Sequence, residues 1–146
     1  MEPKAFLDLA QKLSKEEKDE ASLRSCVSRS YYALFNIMRQ FIDTNVEKIH
    51  KSVEAHGEVY RNLFNCNVSE VKQLAMALND LRTERNSSDY DLELDKFKNP
   101  YNVTILFVKA RTAFNSFERI ISNGGNRKHI KDGIQKYKSS ISSHQP

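Results

Sequence analysis

Several polar residues near the middle of the chain have the types and spacing of a phosphate-binding site. They continue a leucine stripe by helical steps of three and four residues: Arg82, Arg85, Asn86, Asp89 and Tyr90. In a helix they would face the same way as Leu74 and Leu78, toward the core or a cleft. A guanidinium suits phosphate because its fork donates two parallel hydrogen bonds. The pattern therefore predicts an anion-binding end on this helix.

A second interpretation fits the same spacing. Charged residues at the end of a helix often leave the core and enter water, and Arg85 and Asp89 lie four residues apart. Such a pair could form an ordinary surface salt bridge, or a buried structural pair that stabilises the fold. Periodicity alone leaves these alternatives open.

Two segments resemble the paired signatures of HEPN domains, the higher eukaryotes and prokaryotes nucleotide-binding family. Residues 28–35 read SRSYYALF, which is similar to the pattern of the family's long second helix. Residues 81–90 read LRTERNSSDY, which resembles the arginine-containing end of a later helix in a small prokaryotic branch. Residues 50–53, HKSV, resemble a histidine-containing stretch between the two. The order and spacing match over about residues 3–122.

The resemblance implies an antiparallel helical bundle, commonly a homodimer, that works without a metal or cofactor. Many family members are metal-independent ribonucleases acting as toxins or defence effectors, and others bind nucleotides or serve as non-catalytic partners. The catalytic roles would then fall to Arg85, Asn86 and Tyr90. The residues that would contact RNA or a nucleotide are Arg82, Arg85, Asp89, Arg29 and His50.

The chain departs from the family's nuclease motif, which has a histidine four to six residues after the arginine. The positions after Arg85 are Tyr90, Asp91 and Leu92, and those after Arg82 contain no histidine either. Histidine suits RNA cleavage because it titrates near neutral pH. Tyrosine, with a pKa of about 10, is a poorer base, although it can donate a proton or stack on a nucleobase.

Two functions follow. The first is a toxin or defence effector that binds RNA or a nucleotide and could be an endoribonuclease. The second is a non-catalytic module that binds a protein partner, such as a nucleotidyltransferase-like antitoxin or a defence complex. The missing histidine favours the second function, whereas Arg82, Arg85, Asn86 and the net charge of +4 favour the first.

Other candidate residues have simpler interpretations. Arg29 could be a buried structural residue or a ligand group, and Tyr31 and Tyr32 suit a core or a dimer interface. His50 and His56 lie six residues apart, which is not the spacing of a helical metal pair, so each reads as a surface or helix-capping histidine. The acidic residues of 89–95 predict a solvated loop, and the basic residues of 127–138 could track a nucleic-acid backbone or face solvent.

Composition predicts one cytoplasmic domain. The chain has 146 residues, of which 39% are hydrophobic, with no apolar run of the roughly 20 residues that a membrane span needs. The N-terminus lacks the form of a signal peptide. The two cysteines, Cys26 and Cys66, sit among apolar neighbours and read as small core residues.

Scarce glycine and proline, with long 3.6-residue patterns, predict an all-α antiparallel bundle of about five helices plus a short C-terminal helix. We expect the first three helices at about 3–13, 17–45 and 46–64, with capping boxes at Ser14 and Asn67. A polar loop at about 88–98 precedes a helix that begins at Asn99-Pro100. The domain covers 3–138, and 139–146 form a flexible tail. Aromatic surface on the second and fifth helices suggests a homodimer.

Overall fold

The computed structural model describes residues 1–16 and 18–143, which form six α-helices and one short 3-10 helix and contain no strand. The all-α prediction is therefore confirmed. The α-helices are α1 (Lys4–Glu16), α2 (Glu20–Asn45), α3 (Ala55–Phe64), α4 (Ser69–Tyr90), α5 (Pro100–Ile121) and α6 (Gly124–Ser142). The 3-10 helix covers Asp95–Lys98.

The long helix α2 lies at the centre of the bundle. It packs mainly against α1, α4 and α5, with lesser contacts to α3, α6 and the 3-10 helix. This position follows from its sequence, because α2 is apolar on most of its circumference and so must be covered on several sides. Tyr31, Leu34 and Met38 are fully buried along it.

The start of α2 differs from the prediction. Asp19 caps the helix, since its carboxylate accepts a hydrogen bond from the Ser22 amide over 3.0 Å. Ser14, predicted to start the helix, lies inside α1, where its hydroxyl donates to the Gln11 carbonyl. The hydroxyl is used within its own helix and is not available as a cap. Glu17, the other half of the predicted capping box, lies outside the described residues.

Residues 46–54 form a connection and not the predicted first half of α3. Ile49 holds this connection on α2, because its amide donates to Asp43 over 2.8 Å and its carbonyl accepts from Arg39 over 2.9 Å. Side chains of α2 thus satisfy backbone groups that a helix would otherwise pair. Consequently α3 begins only at Ala55.

The boundaries of α4 also differ from the prediction. Asn67 does not cap it, because its backbone has a φ of 63°, in the left-handed region that asparagine tolerates, and Val68 precedes the first turn without a side-chain cap. At the other end α4 continues through Tyr90, so residues 88–90 are not loop. The predicted polar loop further contains the 3-10 helix, whose Phe97 is fully buried.

The last two helices begin at asparagine caps. Asn99 accepts from the Tyr101 amide, with Pro100 in the first turn, which confirms the predicted start of α5. Asn123, which was predicted only to end α5, caps the start of α6, since its side chain accepts a hydrogen bond from the Asn126 amide. Residues 139–142 of the predicted tail are the end of α6, and 144–146 lie outside the described residues.

The core contains both cysteines, as predicted. Cys26 and Cys66 are both buried and free, and burial raises the pKa of each thiol.

No helix in the described part of the chain is long and apolar enough to cross a membrane. The aromatic residues of α2 and α5 that motivated a dimer are largely buried within one bundle, with Tyr101 the main exception.

Candidate functional site

The two segments that resemble a HEPN domain meet where α2 packs against the C-terminal half of α4. The Arg85 guanidinium lies 5.3 Å from the Tyr31 ring centroid and 5.4 Å from that of Tyr32. At these distances the cation is attracted to both aromatic faces. Arg85 is only 7% exposed, so the helix stripe carries it into the bundle, as its spacing predicts.

Arg85 also forms the pair that the spacing allowed. Its Nη1 lies 3.8 Å from Oδ2 of Asp89, and the same oxygen accepts a hydrogen bond from Ser28 Oγ over 3.3 Å. The pair is long, and the Asp89 side chain is 30% exposed. Such a pair stabilises by about 1 kcal/mol or less. It therefore compensates the Arg85 charge only in part.

A histidine from α3 completes this cluster. The Tyr31 hydroxyl lies 2.5 Å from Nδ1 of His56. The half-buried imidazole stacks on Phe35, with 4.4 Å between ring centroids and 22° between planes. Because Tyr31 bonds one nitrogen and Phe35 supports one face, the ring has a fixed position.

The surroundings of His56 keep its ring neutral. Burial, together with the charges of Arg82, Arg85 and Arg39, lowers the pKa of His56 to about 4. Burial raises the pKa of Tyr31, so its hydroxyl keeps the proton. The Tyr31 hydroxyl and Nδ1 share one hydrogen bond, and which of them donates depends on the ring tautomer.

Positive charge in the cluster exceeds negative charge. Arg82 has no carboxylate within 4.0 Å among the described residues, and its buried Nε has no hydrogen-bond partner there. The buried Nε of Arg85 is unpartnered as well. Arg39 has Asp43 at 3.6 Å. Because a partly buried charge is costly unless it is paired, Arg82 is suited to an anionic ligand.

The remaining predicted residues lie around this cluster or away from it. Arg29 is half-buried, with its guanidinium 5.2 Å from the Tyr32 centroid and 5.4 Å from that of Phe6. It thus packs between Tyr32 and a ring of α1. Asn86 is exposed, and Tyr90 is 75% exposed at the end of α4. Neither side chain has a described contact with His56.

The histidine that lies beside Arg85 is His56, and the predicted His50 lies elsewhere. His50 is exposed on the connection before α3 and has no described contact with Arg85, whereas His56 lies in the cluster. The sequence carried no signal for this difference, because the contact joins Tyr31 and His56 across 25 positions. Both histidines had been interpreted as surface or capping residues.

Arg24 is a second residue that the sequence interpretation missed. Its guanidinium donates to backbone carbonyls at and beyond the end of α4, and its Nε donates to Glu20 over 2.9 Å. One signal was available, since Arg24 interrupts the otherwise apolar stripe of α2 next to Leu23. A charge in that position must find partners.

The acidic residues at and after the end of α4 do not form a metal site. In residues 1–16 and 18–143, no three His, Cys, Asp or Glu side chains lie close enough together to hold a metal ion. Asp95 instead pairs with Lys98 over 2.7 Å.

A scan against protein-family models, a search of curated proteins and a search of solved structures each found no match to this chain. What the protein does is therefore inferred from its own residues.

Proposed function

We propose that this protein is a HEPN-like effector that binds RNA or a nucleotide through phosphate contacts with Arg82 and Arg85. The observation that carries the proposal is the excess positive charge beside a neutral histidine. Arg82 has no described carboxylate partner, Arg85 has one distant partner in Asp89, and His56, bonded to Tyr31, is close enough for both arginine charges to lower its pKa. Charge-assisted hydrogen bonds from guanidinium groups to phosphate would use this charge.

The resemblance in the sequence supports the same function. Tyr31 and Tyr32 of the first signature pack against Arg85 of the second, and Ser28 of the first donates to Asp89 of the second. Two short motifs that are remote in sequence thus contribute to one site. In a ribonuclease, Arg85 would offset phosphate charge, while the exposed Asn86 and Tyr90 would contact the ribose or stack on a nucleobase. Such an effector acts on RNA in the cytoplasm.

A binding titration with a matched control tests the proposal. A labelled single-stranded RNA is titrated with the wild type, with Arg82→Gln and with Arg119→Gln. Arg119 is an exposed arginine that pairs with Glu70, so its substitution removes the same formal charge elsewhere. We expect Arg82→Gln to weaken binding by about 1–3 kcal/mol, the worth of a charged hydrogen bond, and Arg119→Gln to have little effect. Equal affinities for the two variants would contradict the proposal.

Incubation of the same RNA with EDTA tests the activity. Cleavage that persists under chelation and is lost in Arg82→Gln would identify a metal-independent endoribonuclease. Intact RNA, together with tight binding, would identify a binding protein without nuclease activity.

An exposed stripe on α5 favours a second candidate, a protein-binding module. Tyr101, Ile105 and Val108 are 70%, 49% and 39% exposed and follow helical spacing opposite the buried face of α5. We propose a second copy of the chain as the occupant, which would make the protein a homodimer. Light scattering of the wild type should then give twice the chain mass.

Ile105→Asp is the matched test of this stripe, with Ser139→Asp at an exposed position of α6 as the control. We expect the mass to fall to that of one chain only in Ile105→Asp, because a buried aspartate in the interface is costly. A wild type that is already monomeric would contradict the homodimer. The stripe would then be free for another partner, such as a nucleotidyltransferase-like antitoxin or a defence complex.

A further inference from the structure

We propose that His56 is the third phosphate ligand of the Arg82–Arg85 site, and that binding RNA phosphate is coupled to the uptake of one proton by its imidazole. This inference rests on the proposed function. It adds a ligand from a different helix and a dependence on pH that the arginines alone would not produce.

The geometry leaves one ring nitrogen for a ligand. Nδ1 is occupied by the Tyr31 hydroxyl at 2.5 Å, and the ring face lies on Phe35. The Tyr32 centroid lies 6.0 Å from that of His56, at an angle of 68°. Nε2 has no hydrogen-bond partner among the described residues, and the ring is only half buried. An imidazole held on one side and unpartnered on the other is arranged to donate Nε2–H to an incoming oxygen.

Charged groups face the ring from two helices. Arg82 and Arg85 come from α4, and Arg85 is partly offset by Asp89. Arg39 comes from α2 and lies 3.6 Å from Asp43.

The titratable neighbours that are not arginines do not reverse this balance. Burial raises the pKa of Tyr31 on α2, so this hydroxyl stays neutral, and the Tyr32 ring meets His56 edge-on. On α3 itself, Glu54 and Glu58 are each two residues from His56, and such neighbours point to a different side of a helix. Without a ligand the field at the ring is therefore positive, and it opposes protonation.

A bound phosphate changes the sign of that field. Its negative charge favours the imidazolium form, so a proton from solvent adds to the ring and both ring nitrogens carry hydrogen. The Tyr31 oxygen then accepts from Nδ1–H, while Nε2–H donates to a phosphate oxygen. No covalent bond to the ligand forms or breaks, and the only change in composition is one added proton. Because burial and the arginines lower the pKa of His56 to about 4 in the free protein, the coupling is largest below neutral pH.

The test is the pH dependence of binding to a labelled uridine oligonucleotide, whose phosphodiesters do not titrate in the range used. Between about pH 7 and about pH 5 we expect wild-type affinity to rise as pH falls, up to about tenfold per pH unit. Calorimetry in two buffers of different ionisation enthalpy should show proton uptake on binding. His56→Gln, which can donate but cannot titrate, should bind more weakly with a flat pH profile. His129→Gln, an exposed histidine on α6, should behave as the wild type.

A second measurement removes the dependence on a folded variant. The imidazole signal of His56 in the wild-type protein is followed by NMR during a pH titration, with and without the oligonucleotide. We expect its midpoint to rise by about two pH units or more when RNA is bound, as the pH dependence of affinity requires. Binding that is independent of pH, with an unmoved midpoint, would overturn this inference and leave phosphate binding by the arginines intact. No binding by the wild type at any pH would overturn both.

Discussion

Nη1 of Arg24 donates to the backbone carbonyl of Ser88 over 2.9 Å, which joins α2 to the last turn of α4. The same guanidinium donates to the carbonyls of Asp91 and Leu94 over 3.0 and 2.9 Å. The last carbonyls of a helix lack partners within it, and a cation is favourable at that end of the helix dipole. Arg24 therefore caps the segment that carries Arg85.

Arg24→Lys should lower the free energy of unfolding by about 2–4 kcal/mol. An ammonium cannot reproduce the planar fork that reaches carbonyls on both sides, and it would leave buried acceptors without donors. Urea denaturation measures the change, and Arg119→Lys at an exposed pair is the control. A loss no larger than that of the control would mean that the carbonyls are satisfied without Arg24.

Arg85→Met should leave stability unchanged or raise it by about 1 kcal/mol, and should weaken RNA binding. Arg85 is a buried cation with an unpartnered Nε, and a well-packed apolar side chain of similar length often stabilises such a position. Arg85→Ala should instead destabilise, because it leaves a cavity against Tyr31 and Tyr32. Melting curves and binding titrations on both variants separate the two effects.

A different outcome would reassign Arg85. If Arg85→Met loses several kcal/mol and each folded molecule still binds RNA as the wild type does, then Arg85 is half of a structural pair with Asp89. That result would support the alternative that the sequence left open.

The free energy of unfolding should decrease as the pH falls through the interval between the unfolded and folded pKa values of His56. The unfolded chain takes up this proton near pH 6.5, whereas burial holds the folded pKa at about 4. Between these two pH values the unfolded state binds more protons than the folded state. The contribution of His56 to the free energy of unfolding is therefore fully present above pH 6.5 and is lost as the pH falls toward 4. We expect His56 to account for roughly 1–2 kcal/mol of this loss, since solvent at the half-buried ring screens part of the effect.

The measurement is the free energy of unfolding without RNA at several pH values. His56→Gln should be less dependent on pH than the wild type, and His129→Gln should not differ from it. A wild type and His56→Gln with parallel pH profiles would mean that the ring titrates normally in the folded protein.

Gly133→Ala should destabilise the protein by about 1–3 kcal/mol, because α6 crosses the turn between α3 and α4 at that residue. A Cβ on Gly133 would collide with the carbonyl oxygen and carbon of Cys66, which are backbone atoms that cannot turn aside. Gly124→Ala, in the first turn of the same helix, is the control, since its Cβ would meet only the flexible end of Arg127 at 3.4 Å. Equal melting temperatures for the two variants would contradict the close crossing of α6 over this turn.

The local sequence pattern was enough to predict the helices and many of the buried residues. The apolar stripe of α5 and its Asn99-Pro100 start were predicted correctly, because periodicity and capping depend on residues within one or two turns. The same locality explains the failures at Ser14, Asn67 and residues 46–54. Each had an acceptable local signal that another interaction overrode. The Ser14 hydroxyl donates within its own helix, the Asn67 backbone is left-handed, and the Ile49 amide donates to the Asp43 side chain of α2.

The sequence by itself determined that Arg85 shares the leucine-stripe face of α4, since helical geometry fixes that direction, whereas its burial against Tyr31 and Tyr32 came from the tertiary structure. Only the tertiary structure decided that His56, and not His50, meets Tyr31, and that Arg24 caps α4 from 64 positions away. The reason is physical. The direction of a side chain follows from its own helix, whereas its partner depends on how separate helices cross, and the crossings are set by packing across the whole core.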